Sequence, residues 1–327
     1  MSADAKTASG QFSTAAVDGR AGEIHNIGYR RYDGGRLGRV QIVRALMWHS
    51  LRGAYGFGRG AKAKIFPMLL FALMCLPAAV NAVALANNPS GGAIVSYDGY
   101  VPSLRAIVML IFVALQAPNL VSADLRNHTL PLYFARPIGR NDYPIAKLAA
   151  FVLACLAIVE IPLLLLYLGN VTQQHGASEV WAQTRQLGSG LLYGAAWAVL
   201  LASIGLLLAS LTGRRVFAIC AVGIPLFFSY ILANALTHIG QVAYGPAGLG
   251  QPSTLSSLAG LISPFTLLGG LLHWLQGSPA TTGQFRPNDL QRVIIGTYGP
   301  WYGLVFVLLL LATVGGLIAR YRKVGVA

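Results

Sequence analysis

Long apolar runs alternate with short polar gaps along most of this chain. Six runs are long enough to cross a bilayer as helices, which takes roughly 17–25 residues. They are Ile65–Ala86, Ala106–Ala123, Leu148–Gly169, Leu187–Leu211, Val216–Leu236 and Trp301–Ala319. Each is predicted to be helical, because backbone amides in hydrocarbon must find partners within their own segment. The fold class expected is an all-α membrane protein with six transmembrane helices. A seventh apolar stretch, Leu255–Leu275, is broken by Ser263-Pro264 and Gly269-Gly270 and carries His273. It reads as a short re-entrant or interfacial hairpin between helices five and six. A seventh crossing would put Arg320, Arg322 and Lys323 on the side opposite the N-terminus.

Ahead of the first span the pattern changes twice. Residues 1–22 are rich in Ala, Ser, Thr and Gly and hold no apolar core of a signal peptide, so the first span is expected to act as its own insertion signal. Residues 1–35 are read as a partly disordered cytoplasmic segment, 36–64 as an amphipathic helix with a joint, and 65–323 as the six-helix domain. In the helix, Val40, Val43, Met47, Leu51 and Ala54 recur at helical spacing. Arg39, Gln41, His49 and Arg52 lie largely off that stripe, although Arg44 interrupts it. Such a helix suits the inner membrane interface; packing on a partner is the alternative. Gly53, Gly56, Gly58 and Gly60 follow, but no Gly-Lys-Ser/Thr ending and no strand accompany them. They read as a flexible joint, and the chain shows no means of its own to bind ATP.

Composition narrows the class. Hydrophobic residues make up 55% of the chain and charged residues 10%, against about a quarter charged in a soluble domain. The net charge of +14 does not indicate nucleic acid, because the basic residues sit in the gaps between apolar runs. With six spans, 20 of the 24 Lys and Arg fall on one side, and Arg105, Arg185, Arg286 and Arg292 on the other. Basic residues stay in the cytoplasm, so both termini are expected inside. A strong bias to Arg over Lys, with abundant Ala and Gly, suggests a GC-rich bacterial genome and hence a bacterial plasma membrane. Cys75, Cys155 and Cys220 fall in separate apolar runs and the six histidines are dispersed, so no metal site is expected.

Two features carry candidate chemistry. Glu160 is the one charge within the six runs, about 18 Å along the third helix at 1.5 Å per residue. Pro162 leaves the Ile158 carbonyl without its usual donor. An intramembrane carboxylate points to a substrate or proton path, or to a protonated or hydrogen-bonded packing group. The other feature is the loop joining helices two and three, 124–147, whose Leu, Tyr and Phe content suggests a short helix shaped to be buried in something. Gly190, Gly194, Ala198 and Ala202 in helix four form a small-residue ladder for close packing, within the monomer or across a dimer seam.

The loop resembles the signature of ABC-transporter permeases of the type-2 export class. The resemblance lies in Asp124, Thr129-Leu130, Arg136-Pro137-Ile-Gly-Arg140 and Tyr143-Pro-Ile-Ala-Lys147. The six-span layout, the basic N-terminal helix and the Ser-Pro break before the last span are similar too. The resemblance implies the transmembrane subunit of an ATP-driven exporter. Such a subunit pairs with a second permease, identical or paralogous, above two separate ATPase subunits that bind ATP and Mg. It also implies that Asp124, Arg126, Tyr133, Phe134, Arg136, Pro137, Arg140, Tyr143 and Lys147 belong to an ATPase-coupling element. No catalytic residue, metal or cofactor is implied in this chain itself. Residues 24–39 exceed the usual short lead of that family and are expected to add a contact with the ATPase or a regulator. Two other readings remain open: an ion-gradient-driven transporter using Glu160, and a membrane-embedded enzyme. The first would ordinarily show an inverted repeat, which is not evident here.

Overall fold

The computed structural model describes residues 38–88, 95, 97, 100, 102–135, 138–174, 176–242, 258–276 and 298–324. Residues 1–37, Arg136 and Pro137 lie outside this set, and so do the expectations attached to them. Among the described residues every regular element is a helix: α1 (Arg39–Ala54), α2 (Ala61–Asn87), α3 (Pro102–Arg126), α4 (Leu130–Phe134), α5 (Asp142–Val171), α6 (Ala177–Ser210), α7 (Arg215–Val242), α8 (Pro264–Gln276) and α9 (Gly299–Val324). Six of them, α2, α3, α5, α6, α7 and α9, are long and apolar enough to cross a membrane. The protein is a multi-pass α-helical membrane protein.

Each spanning helix outruns its apolar stretch. Helix α6 begins at Ala177, ten residues before Leu187, and α5 begins at Asp142 rather than Leu148. Hydropathy marks the part of a helix that meets hydrocarbon, whereas the helix continues until local turn chemistry ends it. Burial then sorts the six. The most apolar windows of α3 and α6 are 67% and 61% buried, against 28%, 22% and 17% in α2, α7 and α9. Helices α3, α5 and α6 therefore make the centre. The outer helices expose Leu69, Phe227, Phe228 and Leu311, which fits a lipid-facing surface.

The small-residue ladder of α6 is used inside the chain. A Cβ on Gly194 would collide with the Glu160 carboxylate and Val159 of α5, and Ala198 and Ala202 are fully buried. Helix α2 contains Pro77, whose missing N–H weakens its turn. The Tyr100 hydroxyl sits in that turn. It accepts from the Ala78 N–H at 3.1 Å and donates to the Met74 carbonyl at 2.7 Å, a side-chain insertion of the kind that accompanies helix kinks.

Helix α1 follows α5. Arg39 at its start forms a two-pronged ion pair with Asp142, Nε to Oδ2 at 2.7 Å and Nη2 to Oδ1 at 2.8 Å. Just past its end, the Tyr55 hydroxyl donates to the Ala154 carbonyl at 2.7 Å. Those two α5 positions are about 18 Å apart along the helix, so α1 climbs beside α5. Leu46, Ser50 and Ala54 are buried, while Val40 and Trp48 are exposed. The Gly-rich joint is a defined turn. Gly56 and Gly58 have φ of 75° and 86°, and a Cβ on Gly56 would strike the Ala63 carbonyl. Glycine is needed there for both reasons.

Helix α8 has 13 residues, about 20 Å, too short to cross a bilayer. It packs on α9 and against the aromatic side of α6 and α7, where Phe265 lies 5.4 Å from Trp197 and 5.6 Å from Tyr230, ring to ring. The starts of α1 and α5, the ends of α3, α6 and α9, and helix α4 gather at one end of the bundle, called here the basic end. Arg322 of α9 donates to Asn141 Oδ1 at 2.8 Å, and Arg320 to the Ser210 carbonyl at 2.6 Å.

Candidate functional site

The loop after α3 is built to return the chain sharply. His128 adopts a positive φ of 50°, which stops α3. The Thr129 N–H and hydroxyl both donate to the Asp124 carbonyl, at 3.1 and 3.2 Å. Pro131, near the start of α4, suits a position whose N–H has no helical partner. The five residues of α4 then turn Tyr133 and Phe134 inward and leave Leu132 70% exposed.

Inward of α4 lies a closed knot. Tyr143 is fully buried and donates to Asp124 Oδ2 at 2.6 Å; Lys147, one turn further along α5, reaches the same oxygen at 2.9 Å. The Tyr143 ring meets Tyr133 at 5.4 Å, Phe134 at 6.4 Å and Tyr321 of α9 at 5.1 Å, centroid to centroid. One aromatic side chain thus ties together α3, α4, α5 and α9.

This sorts the sequence-predicted coupling residues into two groups. Asp124, Tyr143 and Lys147 face one another at the bundle end, with Tyr143 and Lys147 buried and Asp124 partly so. Burial makes them the mounting of α4. Arg126 and Arg140 are exposed, and Tyr133 and Phe134 are half-buried against the knot. The outward surface consists of α4 with Leu132 and the flanking Arg126.

The second cluster is within the apolar interior. Glu160 points from α5 at Gly194 of α6, and neither carboxylate oxygen has a hydrogen-bond partner among the described residues. Arg105 of α3 is buried, its guanidinium 4.6 Å from the Tyr193 ring and 4.9 Å from the Trp197 ring. It is also near enough to Glu160 for the opposite charges to attract. Cation–π contact with two rings offsets part of the desolvation of a buried guanidinium. Charge counting along the sequence placed Arg105 in the gap before the second apolar run, on the side away from the termini; α3 starts at Pro102, so Arg105 lies in its first turn and is buried in the bundle. Pro102 itself, a residue favoured in a helix's first turn, was the available signal.

No protein-family model matches this chain, and no curated protein is significantly similar to it.

Proposed function

We propose that this chain is the transmembrane subunit of an ATP-driven exporter, paired with a second permease and worked by two separate ATPase subunits that bind ATP and Mg. The observation that supports the reading most is the mounting of α4. It is a short helix with an exposed apolar tip, fastened through Tyr133, Phe134 and Tyr143 to the ends of three spanning helices. A soluble partner that grips Leu132 and Arg126 and moves α4 displaces α3, α5 and α9 together, because Tyr143 packs against all of them. The basic end is then the cytoplasmic one, in agreement with its excess of Lys and Arg. The membrane is a bacterial plasma membrane in this account, with both termini inside.

The pathway for substrate runs along α3, α5 and α6, where Glu160 and Arg105 provide opposite charges in an apolar, aromatic surrounding. A second reading has its own support. A carboxylate that has no hydrogen bond among the described residues and lies beside a buried cation is also what a proton-coupled secondary transporter uses.

Purification of the chain in mild detergent from its own host membrane separates the two. The exporter reading expects a co-purifying subunit that hydrolyses ATP, and loss of that subunit on Leu132→Glu while the chain stays monodisperse. Transport in vesicles driven by a proton gradient alone, with ATP irrelevant, would replace it with the second reading.

A further inference from the structure

At the basic end, a cleft of about 360 Å³ opens between the start of α1, the turn into α5 and the end of α9. Its lining is Arg39, Gly139, Arg140, Asn141 and Arg322. We propose that this cleft binds the phosphate of an anionic membrane lipid.

Charge accounts for the need. Three arginines line the cleft, and among the described residues the carboxylate beside it, Asp142, is already engaged. It accepts both prongs of Arg39 and the Gly139 N–H at 2.8 Å. That pairing raises the Arg39 pKa, chiefly through the hydrogen bond to Asp142. Arg322 donates to the neutral Asn141 amide oxygen and forms no ion pair among the described residues, and Arg140 is exposed. Among the described residues the ion pairs at this end are Arg39–Asp142 and Lys147–Asp124, and neither neutralises Arg140 or Arg322. Two guanidinium charges therefore share one concave surface without a counter-charge among the described residues. They lie at the N-terminus of a 30-residue helix, whose dipole adds to the positive potential.

Chemistry and position name the ligand. Guanidinium forks match phosphate oxygens bidentately, and a cleft of this size is in the roughly 300–1,000 Å³ range that encloses small ligand groups. Basic pockets between helices at a membrane face are headgroup sites. The surface beside the cleft favours a lipid over an acidic protein. Ile145, one turn above Asn141 on α5 and 48% exposed, continues from the cleft toward the apolar span. Val40, next to Arg39, is 78% exposed, and Trp48 on the same helix is 52% exposed, as suits a headgroup level. The phosphate sits between Arg140 and Arg322, and an acyl chain runs along Ile145. This proposal needs only the membrane reading and stands whether or not an ATPase docks at α4.

The test is native mass spectrometry of the full chain in detergent with phosphatidylglycerol, phosphatidylcholine and inorganic phosphate as separate probes. The parent retains phosphatidylglycerol more tightly than phosphatidylcholine. Arg140→Gln weakens phosphatidylglycerol about fivefold and the Arg140→Gln/Arg322→Gln pair about thirtyfold, from the worth of one basic residue near an anionic surface. Phosphatidylcholine binding stays as in the parent. If the double variant does not fold, Arg140→Gln decides the matter alone, since among the described residues no hydrogen bond or ion pair rests on its side chain. Equal retention of the two lipids, or parental phosphatidylglycerol affinity in the variants, overturns the proposal. Inorganic phosphate binding as tightly as the lipid would assign the cleft to a soluble phosphate instead. Unchanged lipid binding with loss of a docked protein would assign it to that protein.

Discussion

Glu160 and Arg105 show how single residues set the chemistry available in an apolar interior. Glu160 lies well inside α5 and Arg105 in the first turn of α3, and their mutual attraction and the Tyr193 and Trp197 rings moderate the cost of placing them in an apolar surrounding. Glu160→Gln keeps the shape against Gly194 and removes the charge. It is expected to lower transport while the purified protein remains monodisperse. Wild-type transport by both Glu160→Gln and Glu160→Leu would remove Glu160 from the pathway. At the basic end the expectation is one of stability. Lys147→Met leaves Asp124 without its buried partner, a loss of about 3 kcal/mol by analogy with other broken buried pairs. Thermal unfolding in detergent measures it. Retention of the parental midpoint would show that Tyr143 alone holds Asp124.

Elements differ in how far their sequences announce them. The six spans were legible because hydrocarbon leaves no other way to satisfy a backbone, and each apolar run sits inside an observed helix except for Leu211, which caps the end of α6. Their ends were not legible, since polar residues continue a helix beyond the bilayer without any change of period. The short helix in the loop after α3 was anticipated from Leu130, Tyr133 and Phe134. The inward direction of Tyr143 and Lys147 was not, because an Asp, a Tyr and a Lys in a loop carry no sign of which way they face. The course of α1 was hidden for a related reason. An amphipathic stripe marks a buried side without saying whether lipid or another helix covers it, and here Arg39 and Tyr55 bind it to α5. The Gly-rich segment after α1 read as a flexible joint, yet Gly56 is conformationally committed. Gly56→Ala must adopt a positive φ and clash with Ala63, and it is expected to cost roughly 1–3 kcal/mol. A midpoint unchanged from the parent would mean that the turn can rearrange freely.

At the scale of the whole molecule, the account requires the start of α5 and the ends of α3, α6 and α9 to share one side of the membrane with α4. Single cysteines introduced near Arg140 and Lys323 are expected to resist an impermeant thiol reagent added outside intact cells. Cysteines near Asn88 and Gln174 are expected to react. Labelling at Lys323 but not at Arg140 would put an additional crossing between α7 and α9 and break the six-span topology.

The central claim is that α4 is the handle by which a soluble ATPase moves the bundle. A photoreactive amino acid at Leu132, activated in native membranes, tests it directly. The account predicts a cross-link to one soluble protein that carries a nucleotide-binding phosphate loop, with a yield that changes when ATP hydrolysis is blocked. A chain that is folded, inserted and transport-active, yet whose Leu132 probe captures only lipid or no ATP-binding protein in any nucleotide state, would contradict it.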